Sequence, residues 1–137
     1  MIHLIGKISQ GFGAATKTIA AQRSLFEKLG LKDVERLRDG TINIDISPNQ
    51  FFPDNYDYFF KSVEWENGNI EDFGFIKIDK IIYQGQTYNG PGYIYVPHNS
   101  PHFSKRNQIE VLAIPIAGAQ AGIPIEIIIN HWAKTIT

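Results

Sequence analysis

Three short stretches hold residues that could do chemistry. In Gly40-Thr41-Ile42-Asn43 a hydroxyl and an amide oxygen stand two positions apart. On an extended chain Thr41 and Asn43 share one face, roughly 6 to 7 Å apart along the backbone. Two neutral oxygens so placed suit a hard cation such as Mg²⁺, which keeps several waters and completes its shell with substrate phosphates. Gly40 before them would let a ligand come close. The same alternation, continued by Asp45, also fits a polar strand face turned to solvent. In Gly11-Phe12-Gly13-Ala14-Ala15 the glycines let backbone N–H groups cradle a phosphate, and Lys17 could neutralise its charge. This is neither the dinucleotide fingerprint nor a P-loop, and a plain strand-to-helix turn would have the same composition. Glu110 sits inside the apolar run Ile109-Glu110-Val111-Leu112-Ala113-Ile114. A carboxylate there either faces outward or is held as a hydrogen-bond acceptor or general base. His98 and His102 could ligate a metal, but Pro101 between them forbids the helix that would bring them together. His3 and His131 have no partner visible in sequence.

These groups need elements to position them. The spacing of Ile19, Leu25, Phe26 and Leu29 predicts a helix over 18–29, with Gly30 as its C-terminal cap and Lys28 suited to the dipole. Strands are expected over 1–9, 41–47, 73–83, 92–96, 109–114 and 125–130, rich in β-branched and aromatic residues. Turn signals separate them at Asn67-Gly68, Gln84-Gly85, Asn89-Gly90-Pro91-Gly92 and Asn99-Ser100-Pro101, and 83–88 reads as a hairpin tip. Six short strands and one helix predict a mainly β fold, a small barrel with an inserted α-helix. No repeat or linker divides the chain, so 1–137 is expected to be one domain. The aromatic stretch Phe51 to Phe60 either caps one barrel end or walls a pocket for a flat ligand.

Composition narrows the classes. The 137 residues carry a net charge of -1, with 43% hydrophobic and 20% charged residues, which is an ordinary globular balance. There is no broad basic surface to bind nucleic acid or an acidic membrane. There is no cysteine, which excludes disulfides, thiol catalysis and thiolate metal sites. The start MIHLIGKISQ lacks the features of a signal peptide, and no apolar run approaches the roughly 20 residues of a membrane helix. A cytoplasmic protein is the expectation.

Taken in order, the three stretches resemble the CTP-dependent riboflavin kinase family, mainly known from archaea. That family has a strand, a Gly-x-Gly-x-Gly-like loop, a helix and a Gly-Thr-Leu-Asn strand. The counterparts are Gly11-Phe12-Gly13-Ala14-Ala15, the 18–29 helix and Gly40-Thr41-Ile42-Asn43. A later strand ending in Val-Pro, a loop with Thr and His, and an Ile-Glu-Ile-Ile-Ala-Pro strand match Tyr93-Ile94-Tyr95-Val96-Pro97, then Ser100 and His102, then the 109–115 stretch. The resemblance covers about 1–115. It implies a six-stranded cradle-loop β-barrel and transfer of phosphate from CTP to riboflavin with Mg²⁺. Thr41 and Asn43 would be the Mg²⁺ ligands, and Gly11, Gly13 and Lys17 would line the nucleotide phosphates. Glu110, Ser100 and His102 would face the flavin, with Glu110 as the catalytic carboxylate. The chain departs from the pattern at Ala15, where the loop's third glycine falls. It departs again over 117–131, where the family's Leu-Arg and Gly-Asp elements are absent. These departures favour the alternative, a non-catalytic module on the same barrel that binds a nucleotide or another small ligand, or a protein.

Overall fold

The computed structural model describes residues 1–9, 15–53, 55–65, 68–98, 106–130 and 134–136. Its strands are β1 Ile2–Ser9, β2 Ile42–Asp45, β3 Gln50–Phe52, β4 Tyr58–Trp65, β5 Asn69–Tyr83, β6 Gln86–Tyr88, β7 Gly92–Pro97, β8 Gln108–Ala113, β9 Pro124–Ile129 and β10 Lys134–Ile136. One α-helix, α1 Ala15–Lys28, follows β1, and a 3-10 turn spans Val34–Arg36. Among the described residues no helix is long and apolar enough to cross a membrane.

Six strands close into an antiparallel barrel in the order β5-β7-β8-β2-β1-β9 and back to β5. Closure depends on the 15-residue β5, which serves two neighbours in succession. Its first half, through Lys77, pairs with β7, and its second half pairs with β9 from Ile78 to Tyr83. A register shift between Ile78 and Lys80 marks the change of partner, the bend a closing barrel needs. Outside the barrel, β4 and β6 extend from β5, and β3 pairs with β10. The hairpin tip is present: Tyr83 faces Gln86 across Gln84 and Gly85, both at positive φ, as a primed two-residue turn requires.

Strand alternation sorts the side chains into two cores. Ile8, Ile42, Ile44, Ile94, Ile109, Val111, Ile125 and Ile127 fill the barrel interior. Their odd-face neighbours Phe73, Phe75, Tyr93, Tyr95 and Leu112 form a second cluster on the outer surface, and α1 covers it. The helix presents Ile19, Gln22 and Phe26 at helical spacing, all buried. Phe26 meets the rings of Phe73 and Phe75 edge-on at 5.0 and 5.1 Å. The helix begins and ends slightly before the predicted 18–29, and Leu29 is exposed. Gly30 at φ 101 donates to Glu27 O, and Leu31 donates to Phe26 O, a Schellman cap.

The stretch Phe51 to Phe60 splits between these layers. Phe51 enters the barrel core, whereas Tyr58 and Phe60 pack against the helix-covered cluster from β4. Packing is therefore what most of these rings do.

Candidate functional site

The chain reaches Thr41 along a segment held from the helix. Arg23 on α1 donates to Asp39 Oδ1 from Nε at 3.0 Å and from a terminal nitrogen at 2.7 Å. The same guanidinium donates to the carbonyls of Val34 and Leu37. Gly40, at φ 117, then turns the backbone into β2 in a conformation that a side chain would strain.

From there Thr41 and Asn43 turn away from solvent, while Asp45 at the far end of β2 stays partly exposed. Asn43 is only 9% exposed, and Thr41 is half-buried. Register lines up a row across four strands of the outer face. Ser9 of β1 lies opposite Asn43, Asn43 opposite Glu110 of β8, and Glu110 opposite Tyr95 of β7. The Thr41 hydroxyl donates to Glu110 Oε1 at 3.3 Å. Glu110 is 8% exposed, so it is the pocketed carboxylate rather than an outward one. The Tyr95 hydroxyl donates to Gln22 Oε1 of the covering helix at 2.6 Å. Burial first, then the charges of Glu110 and Glu71, push the Tyr95 phenol well above its ordinary pKa. It stays a protonated donor at neutral pH.

Three buried side-chain polar atoms lack a hydrogen-bond partner among the described residues: Ser9 Oγ, Asn43 Oδ1 and Gln22 Nε2. All three belong to this one row and its helical cover. An unmet buried polar atom costs about 1–3 kcal/mol, and native proteins keep few of them. Two of them, Ser9 and Asn43, are paired across β1 and β2, and Gln22 meets Tyr95 at the other end of the row.

A cleft adjoins the row. The pairing of β7 with β8 stops at Tyr95 and Glu110, although β7 runs on to Pro97 and β8 starts earlier at Gln108. Between the splayed ends lies a small cavity of about 40 Å³ bordered by Phe51, Pro53, Pro97, Arg106, Gln108 and Glu110. Its walls are largely apolar with a few polar groups. Arg106 lies over the Phe52 ring at 5.1 Å. Beside this mouth Tyr56, Phe59 and His98 pack together, with Tyr56 and Phe59 stacked at 5.4 Å.

The predicted site residues are thus partly brought together. Thr41, Asn43 and Glu110 converge. Lys17 is in the first turn of α1, and its side chain is not among those described. Gly11, Gly13, Ser100, His102 and His131 fall outside the described residues. Ser9 of β1 lies beside Asn43, and Pro97 and Arg106 both border the cleft. His3, which has no evident partner in sequence, meets Glu126 of β9 at 2.6 Å. Among the described residues no three His, Cys, Asp or Glu side chains converge as a metal cluster. The hard oxygens of Thr41, Asn43 and Glu110 nevertheless fit Mg²⁺, which needs few protein ligands. Sequence reasoning missed Gln22 and Tyr95. The signal for Gln22 was an amide between Ile19 and Phe26 on the helix's apolar stripe.

No protein-family model and no curated protein matches this chain.

Proposed function

We propose that the chain is a phosphotransferase of the riboflavin kinase type, working beneath the N-terminal half of α1. One observation carries this reading: the unmet Asn43 Oδ1 lies in register beside Glu110, which already holds the Thr41 hydroxyl. An oxygen pair and a carboxylate gathered on a water-poor face suit phosphoryl transfer, where positioning and charge neutralisation supply most of the catalysis.

In this reading the flavin ring enters the cleft between β7 and β8 and brings its 5′-hydroxyl toward Glu110. The hydroxyl oxygen bonds to the γ-phosphorus of CTP, the bond to the bridging oxygen breaks, and CDP leaves. Glu110 orients the hydroxyl and takes its proton, held in place by Thr41. Asn43 and Thr41 would hold Mg²⁺, which when bound supplies positive charge for the phosphate oxygens. The backbone around Gly11 and Gly13, with Lys17, would receive the rest of the triphosphate.

Chromatographic detection of FMN from riboflavin, CTP and Mg²⁺ tests the proposal. Product from the wild-type protein, lost in Asn43→Ala, is the expected result. No FMN, together with no rise in melting temperature with CTP or riboflavin, overturns it. A melting shift without product would instead assign the barrel to ligand binding alone.

A further inference from the structure

Gln22 is the least expected residue of the helix. It is wholly buried between Ile19 and Phe26, where an apolar residue would complete the packing stripe. Its Oε1 accepts the Tyr95 hydroxyl at 2.6 Å, while its Nε2 has no partner among the described residues. That hydrogen bond sets the amide's direction. The Tyr95 hydroxyl donates to the amide oxygen, and the NH₂ group is thereby turned away from it. A side chain that breaks the local packing pattern without a compensating bond is expected at a functional position.

We infer that Gln22 is a specificity-determining residue whose Nε2 donates a hydrogen bond to an uncharged acceptor, a carbonyl oxygen or ring nitrogen, of the ligand bound beneath α1. The inference rests on reading the row from Ser9 to Tyr95 as the binding site. The acceptor is uncharged because the Glu110 carboxylate lies opposite Tyr95 in register, and an anion at the Gln22 end would stand away from the Mg²⁺ that Thr41 and Asn43 would hold. Occupancy would then fasten α1 to the sheet, since the donor is on the helix and the other unmet atoms are on the strands. A buried donor that finds no acceptor is costly, so a ligand lacking this atom is rejected.

Two ring systems could bring such an acceptor, the pyrimidine of CTP and the isoalloxazine of riboflavin. Flavin-fluorescence titration measures riboflavin, and calorimetric titration measures Mg·CTP, on wild type, Gln22→Met and Tyr95→Phe. Gln22→Met is expected to weaken one of the two by about tenfold or more and leave the other within about twofold. Tyr95→Phe weakens the same ligand by a smaller factor, because the amide can then turn either way. Unchanged binding of both ligands by Gln22→Met overturns the inference.

If wild-type protein binds neither probe, it is the kinase reading that fails, and the ligand-free protein decides the inference. The double variant Gln22→Met/Tyr95→Phe removes both partners of the hydrogen bond together with the unmet N–H. It is expected to melt at or above the wild-type temperature. A melt several degrees lower would give Gln22 a purely structural role and overturn the inference.

Discussion

Asn43→Val offers the sharpest test of the site, because function and stability should move in opposite directions. In the ligand-free protein Asn43 Oδ1 is buried and unmet, a burden of about 1–3 kcal/mol. Valine removes that atom and suits a strand. Some crowding against neighbours offsets the benefit, so a net gain of about 1 kcal/mol is expected. At about 2.1 cal/mol/K per residue, the 137-residue chain gains about 3 °C in Tm per kcal/mol. Scanning calorimetry in metal-free, nucleotide-free buffer should therefore show Asn43→Val melting about 3 °C above wild type. Adding Mg·CTP should raise the wild-type Tm and leave the variant's unchanged. Asn43→Asp is the control. It sets a second carboxylate opposite Glu110 and should melt below wild type without metal. A ligand-free Asn43→Val that melts 3 °C or more below wild type would refute the reasoning. It would mean that the amide is already satisfied within the fold and that the row is packing.

Other substitutions probe what holds the row in place. Phe26→Ala removes the ring that meets Phe73 and Phe75, and should cost about 3–5 kcal/mol in urea unfolding, since Phe26 is fully buried. Gly6→Ala should cost at least about 1–3 kcal/mol by the same measurement, because a Cβ there would overlap the Asp45 carbonyl oxygen and the Ile44 side chain. Asp45 has its pKa lowered by hydrogen bonds from the Ser47 side chain and backbone N–H, the latter at 2.8 Å. A depressed carboxylate contributes stability above its unfolded pKa and loses it as pH falls through the folded value. Asp45→Asn should thus lower Tm slightly at pH 7 and match wild type once the pH is well below 3.8. A Tm difference that persists in acid would assign the effect to packing instead.

How far the sequence revealed this fold depends on which neighbours each residue needs. The barrel strands were readable in two ways: β2 from period-2 alternation, and β7 and β8, buried on both faces, from their runs of β-branched and aromatic residues. β3 and β10 escaped notice because each is three residues long, too short to show a period, whereas β6, equally short, was read only as the far arm of the 83–88 hairpin tip. β4 was hidden for another reason. Its Tyr58-Phe59-Phe60 run has aromatics on both faces, and Ser62 at positive φ shifts its register against β5. The site shows the same division. Alternation put Thr41 and Asn43 on one face but could not say whether that face meets water. Its neighbours Ser9 and Glu110 are far from β2 in sequence, and only strand pairing brings them together. Glu110 was conspicuous as a lone charge in an apolar strand. Gln22 was not, because one amide within a helix is ordinary until its neighbours are known. What turns it from a surface residue into part of the site is the Tyr95 hydroxyl, 73 positions away in the chain. The local pattern thus exposes residues that contradict their own element. Gln22, whose place on the apolar stripe of α1 is a faint local signal, becomes plain when helix and sheet are docked.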